Sequence, residues 1–314
     1  MLEPLPLSYS ELEQFRIKAK EKKRPSLVGG HQMRRKGQSL EFRDYQVYVP
    51  GDDIRLVDWR ASARHGRAGE LLVRSFEAEE DLTLLISIDT RDSMSLPAVM
   101  PKRTIAFWLS EAMAVIALRS DDRVILHRLF GKPDGSYESI RGSRNTGRVR
   151  ATLERFHSHS GDGNGINLAV VDRLLPPTAV WLIISDYYFS MNDQAERLAG
   201  RMVKAQDGLR WIISVDLNSW SYEKRVLGLG ARKIKGPGLD VQDPRFEIDG
   251  NGIQEVETRI RDHKQTFFNL AKRSALDHLI WDWPAQKTPD PSEYFVTRFE
   301  DDTVLQRLFM KESP

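Results

Sequence analysis

The 314 residues carry 47 basic and 45 acidic side chains, a formal net charge of +2, and no cysteine. That balance argues against a partner held by bulk charge, such as nucleic acid or an anionic membrane. The missing thiols exclude disulfides, thiolate metal sites, iron–sulfur clusters and cysteine nucleophiles. Apolar residues at 40% and charged residues at 29% suit a chain that buries a core, as one large domain with an extension or as two domains.

The first fifteen residues, MLEPLPLSYSELEQF, hold acids where a secretory leader needs a basic start and an apolar run. The apolar stretches Leu82–Ile88 and Ala179–Ile184 fall far below the roughly 18–20 residues that cross a bilayer. A cytoplasmic location without a membrane span is the expectation. Residues 1–25 read as a basic N-terminal helix, capped by Ser8 or Ser10 with Glu11 and Glu13 in its first turn. It runs through Arg16, Lys18, Lys20, Lys22, Lys23 and Arg24 to Pro25. Residues 26–80 lack the period of a long helix and predict a strand-rich unit punctuated at Pro50-Gly51-Asp52. Val47, Val49, Ile54, Leu56, Val57 and Trp59 are too apolar for a free linker. They predict a unit packed on the following domain, with Trp59 largely buried.

From Asp81 the texture changes. LTLLISID is a near-continuous apolar run ending in a polar loop, the pattern of a buried parallel strand. A helix over 102–119 follows, then a strand over 123–130 and a return strand in DGSYESIRG. Helices are expected near 144–157 and 166–175, a strand over 179–186, a helix over 192–206 and a strand over 209–217. The glycine-rich stretch 223–250 predicts a short strand pair. After it come a helix over 253–274 and a last strand at 278–283, in which Trp281 and Trp283 pack the core. Residues 285–314 read as a C-terminal tail after an 81–284 domain, with Pro289 and Pro291 ahead of one short helix near 303–310. Strands alternating with helices predict an α/β fold, a doubly wound and mostly parallel sheet with helices on both faces. Functional loops then leave the carboxyl ends of the strands, where Asp89, Asp186 and Asp216 stand.

Residues 88–95, IDTRDSMS, put a carboxylate at a strand end and hydroxyls in the next loop, an oxygen set suited to a hard divalent cation. ISDYYFS offers Asp186 at the end of another strand. Here the sequence resembles a von Willebrand A domain. IDTRDSM is similar to its D-x-S-x-S loop, IISD to the strand bearing its second aspartate, and GNGINLAVV to the segment that supplies a Gly-Thr pair. What the resemblance implies is a metal site on Asp89, Ser93 and Asp186, with Arg91, Asp92, Asn167 and Tyr187 on a partner-binding face. Two departures weaken it: Arg91 replaces the middle serine, and Ile166 stands where a coordinating threonine is expected. A guanidinium cannot lose its proton to make room for a metal. The expectation is therefore no resident cofactor, Mg²⁺ included, with Arg91 contacting Asp89, Asp186 or both.

A second resemblance lies ahead of that domain. Glu41, Phe42, Tyr45, Pro50, Gly51, Asp52, Asp53, Arg55, Asp58, Trp59, Ala63 and Arg64 are similar to the signature of the family called domain of unknown function 58, in its branch without paired membrane helices. Asp44 departs from it, where that family often has arginine. The resemblance implies a non-enzymatic adaptor, partner to a MoxR-type AAA+ ATPase and an unknown client in assembling or activating protein complexes. Two other readings stand beside it. Asp52, Asp53 and Asp58 with His31 or His65 would make a metal-dependent hydrolase, although no metal-ligand spacing of the H-E-x-x-H kind accompanies them. Lys18–Arg24 with Arg34, Arg35 and Lys36 would contact phosphates, although no aromatic residues are interleaved there. Neither a P-loop, a G-x-G-x-x-G turn nor a G-x-S-x-G elbow occurs. His127, His157, His159, His263 and His278 read as surface or satisfied histidines.

Overall fold

The computed structural model describes residues 2–17, 40–49, 54–65, 70–78, 82–159, 165–176, 179–189, 193–206, 210–228, 233–234, 246–247, 250–272, 276–285 and 290–311. Two compact units result, one of Met1–Lys23 with Leu82–Pro314 and one of Arg24–Asp81. The basic residues 18–24 and 34–36, His31 and Pro50–Asp53 lie outside the described residues.

The first unit opens with α1 (Tyr9–Leu12), held by a capping box in which Ser8 and Glu11 exchange bonds. Within the described residues 2–17 the expected helix is this single turn, followed by β1 (Phe15–Ile17). The reason is visible in Phe15 and Ile17, both buried: alternation of period two overrides the acidic helical start.

The second unit pairs β2 (Leu40–Val47) antiparallel with β3 (Leu72–Ala78), with a register shift between Phe42 and Asp44. Between them lies α2 (Trp59–His65), a helix the sequence reading did not predict. Asp58 caps it: its Oδ1 accepts from the backbone N–H groups of Arg60 and Ala61, each at 3.0 Å. Tyr45 donates to the other carboxylate oxygen at 3.1 Å. Ser62 donates to the Asp58 carbonyl and accepts from the Leu72 amide, tying α2 to β3.

In the first unit the chain continues through β4 (Thr83–Ile88), α3 (Lys102–Arg119), β5 (Arg123–Arg128), β6 (Tyr137–Ile140), α4 (Thr146–Ser158), α5 (Ala169–Leu174) and β7 (Ala179–Ser185). It then forms α6 (Asp193–Gln206), β8 (Trp211–Asn218), α7 (Trp220–Gly228) and the small antiparallel pair β9 (Lys233–Ile234) and β10 (Phe246–Glu247). The last elements are α8 (Gly250–Ala271), β11 (Leu276–Asp282), α9 (Pro291–Asp301), α10 (Thr303–Leu308) and β12 (Phe309–Lys311). Six strands make one mixed sheet in the order β11-β8-β7-β4-β5-β6. All neighbours are parallel except β6, which returns antiparallel on β5. The four long strands read from the sequence are thus mutually parallel.

Alternate residues of the buried strands feed two cores. Leu84, Ile86, Ile88, Leu182 and Ile184 pack with α3, α4, α9 and α10. Leu85, Trp181, Ile183 and Ile212 pack with α6 and α8. Each such aliphatic or aromatic side chain contributes about 1.5–3 kcal/mol on burial. Trp281 and Trp283 are fully interior, as expected. The C-terminal stretch is no tail. Asp290 caps α9 through the Glu293 amide with Pro291 in its first turn, a position where proline costs nothing, and Phe295, Phe299, Leu305 and Leu308 join the core. Helix α7 also departs from expectation: it occupies the start of the stretch 223–250, ahead of most of its glycines, where a strand pair is expected.

Trp59, expected in the interior, is 62% exposed, and Val47, Val49 and Ile54 are also exposed. Of the apolar residues that predicted burial, Val57 is interior, beside Ala61 and Val73. The cap at Asp58 sets the phase of α2 so that Ala61 takes the inner face and Trp59 the outer one.

Candidate functional site

The strand order reverses between β4 and β7: from β4 the chain moves to β5 and β6 on one side, then returns to β7, β8 and β11 on the other. Crevices open at such reversals, outside the carboxyl ends of the strands. Asp89 directly follows β4, and its amide bonds the Ile184 carbonyl of β7 at 2.9 Å. Asp186 directly follows β7. Both are completely buried, so each charge requires partners.

Arg91 is the first partner. Its Nε lies 3.1 and 3.2 Å from the two Asp89 oxygens, and its Nη2 reaches Asp89 at 2.5 Å and Asp186 at 2.9 Å. The guanidinium lies 4.4 Å from the centre of the Phe130 ring and 5.4 Å from that of Phe189. Its side chain keeps 10% of its surface exposed, and Nη1 makes no hydrogen bond among the described residues. Lys102, on the first turn of α3, is the second partner: Nζ donates to the other Asp186 oxygen at 3.0 Å and lies 3.8 Å from Glu223. Ser185 donates to Asp89 at 2.7 Å, and the Arg91 and Tyr188 amides complete the two carboxylates. Burial pushes the Asp186 carboxyl up, but Lys102 and Arg91 more than reverse this and hold it well below the usual range. Burial also weakens the arginine's hold on its proton, yet Asp89 and Asp186 raise its pKa further. Two buried anions are balanced by two buried cations.

The charged edge continues across the sheet. Tyr188 lies between Lys102 and Lys264, whose ammonium groups are 4.8 and 4.5 Å from its ring centre, and its hydroxyl donates to Asn218. Lys264, on α8, donates to both oxygens of Asp216 at 2.7 and 2.8 Å. Burial nevertheless pushes Asp216 up to about 6.

The residues singled out in the sequence divide accordingly. Asp89, Arg91 and Asp186 meet. Ser93 lies in the short turn Asp92–Ser95, and its Oγ is buried with no hydrogen-bond partner. Asp92 is partly buried in that turn. Asn167 and Tyr187, expected on a partner surface, are interior at 5% and 0% exposure. Asn167 is spent on Ser136 and on the Leu129 carbonyl. Tyr187, at a left-handed φ of 56°, turns its hydroxyl inward to Ser214 at 2.6 Å. Ile166 bridges to Phe130 by backbone pairing. Lys102 and Lys264 were missed. Lys102 left one signal, a cation in a helix's first turn, where the dipole disfavours it.

These residues do not fit a divalent ion. The inward oxygens of Asp89 and Asp186 are bonded to cations. Among the described residues no three His, Cys, Asp or Glu side chains could together hold a metal. Of the hydrolase triad, Asp58 serves as a helix cap, and Asp52 and Asp53 lie outside the described residues. In the signature, Glu41 lies on β2, Arg55 in the turn Ile54–Leu56, and Ala63 and Arg64 on α2. His127 is fully interior, with Nδ1 2.9 Å from Ser87 Oγ, and burial lowers its pKa to about 3.

Fold and site together define a mixed α/β protein with a charge-neutralised pair of aspartates at the switch point of its sheet. Residues 41–210 match the family described as Protein of unknown function DUF58. That is more than half of the 314 residues, and the chain belongs to this family. No curated protein matches it. Among the described residues, no helix is long and apolar enough to cross a membrane.

Proposed function

We propose that the chain is a von Willebrand A-like, non-enzymatic adaptor that captures partner proteins at the carboxyl ends of β4 and β7 without a resident metal. Its partner on this reading is a MoxR-type AAA+ ATPase, with which it assembles or activates a client complex in the cytoplasm. The observation that carries the reading is Arg91, whose Nε and Nη2 are taken by Asp89 and Asp186 while Nη1 is not. A partner's carboxylate can pair with that nitrogen directly, as a charge-assisted hydrogen bond, where a metal would otherwise bridge the two proteins.

The test is affinity purification of the tagged chain from its native host, with and without chelator, followed by mass spectrometry. An AAA+ ATPase is retained in both conditions and is depleted by Arg91→Lys, which preserves the charge but not the fork. Release of that ATPase by chelator overturns the metal-free mechanism. Calorimetry with millimolar Mg²⁺ or Mn²⁺ gives no saturable heat. Saturable binding that disappears in Asp89→Ala restores a metal-dependent mechanism.

A further inference from the structure

The signature unit places a tryptophan where burial would be expected and holds it outward with dedicated bonds. Asp58, 9% exposed, caps α2 and is itself gripped by the Tyr45 hydroxyl. The helix so fixed exposes Trp59, Arg60, Ala63 and Arg64 along one stripe, while Ala61 faces inward. Ile54, 59% exposed, precedes it. Arg60 and Arg64 are four residues apart on the same face, where like charges repel. Neither has a carboxylate partner among the described residues. An exposed indole beside two unneutralised guanidiniums and an aliphatic side chain has the composition of an interface hot spot, which Trp and Arg dominate.

We infer that the outer face of α2 is a second docking surface, independent of the strand-end site, and that its occupant is an acidic, apolar-bearing segment of a partner protein. Carboxylates of that segment pair with Arg60 and Arg64, and an apolar residue covers Trp59 and Ile54. A nucleic acid would offer phosphates to the same arginines. Binding of single strands, however, uses successive aromatic side chains as stacking platforms, and this stripe supplies one ring flanked by Ala63 and Ile54.

The test titrates the full chain into three labelled probes and reads fluorescence anisotropy. The probes are an amphipathic peptide of Glu, Leu and Phe, its Lys-for-Glu counterpart, and a poly-dT oligonucleotide. Saturable binding of the acidic peptide is expected, weakened at least tenfold by Trp59→Ala and by the double change Arg60→Glu with Arg64→Glu. Arg60→Lys with Arg64→Lys retains most of it. All changed residues are exposed, so circular dichroism and Tm stay at wild-type values and a folding defect is distinguished. Four results overturn the inference: no saturation with the acidic peptide, variants that bind it equally well, tighter binding of poly-dT, or self-association abolished by Trp59→Ala, which makes a second copy the occupant. An Arg91→Lys chain keeps its affinity for the peptide, so failure at the strand-end site is read separately.

Discussion

Arg91 and Lys102 bring two positive charges to carboxylates from which water is excluded, and removing one leaves an anion stranded. Arg91→Ala leaves Asp89 completely buried without its cation. Breaking a buried pair from one side costs about 3–5 kcal/mol, so a large fall in the urea midpoint is expected, with a smaller fall for Arg91→Lys. The aspartates of this edge also respond to acid with opposite signs. Asp216, raised to about 6 from an ordinary 3.8, holds a proton in the folded state that the unfolded chain has released. Its contribution therefore grows as pH falls from about 6 to about 4, by roughly 3 kcal/mol. Asp186 is held low, so its contribution is full above about 4 and is lost below it. Chemical denaturation across this range should show greatest stability near pH 4. Asp216→Asn should flatten the slope between pH 4 and 6 and leave the acid limb unchanged; an unaltered slope would place the titration elsewhere.

At the scale of elements, two short helices depend on single aspartates. Asp58→Ala removes the α2 cap, at a cost of about 1 kcal/mol, and leaves the Tyr45 hydroxyl without this partner. Asp290→Ala does the same for α9. Phe295→Ala, completely buried on α9, should cost about 3–5 kcal/mol, far more than any change in a solvated tail. Denaturation midpoints of the three variants rank them. The same elements show what the sequence could and could not reveal. β4 and β7 were legible as short continuous apolar runs, and α3 as an apolar run of good helix formers too long for a strand. Asp89 and Asp186 were legible because each ends such a run abruptly. Helix α9 was obscured because Pro289 and Pro291 look like breakers until Asp290 is seen as a cap. Lys102 was obscured because its partner, Asp186, is 84 residues away in sequence. Trp59 misled because its size predicts burial, whereas the phase of a seven-residue helix decides it.

On the scale of the whole molecule, the first unit is sewn together from distant parts of the chain. Tyr9 donates to Glu111 on α3, Trp108 and Arg150 donate to backbone carbonyls of residues 2 and 3, and β1 pairs antiparallel with β12. Phe15 touches both Phe299 and Phe309. Truncation after residue 302 should therefore loosen the N-terminal segment as well, and limited proteolysis would then cleave near Phe15 in the truncated chain and not in the intact one. The register of Phe15 with Lys311 also has a consequence in time. At about 5–20 residues per second, the ribosome delivers the partner strand roughly 15–60 s after Phe15. For that interval the apolar faces of β1 and α3 have no final cover, and α3 is apolar over nearly its whole circumference. The nascent first unit thus passes through a long exposed period that its finished architecture conceals, and a holding chaperone on the emerging chain would act in that window.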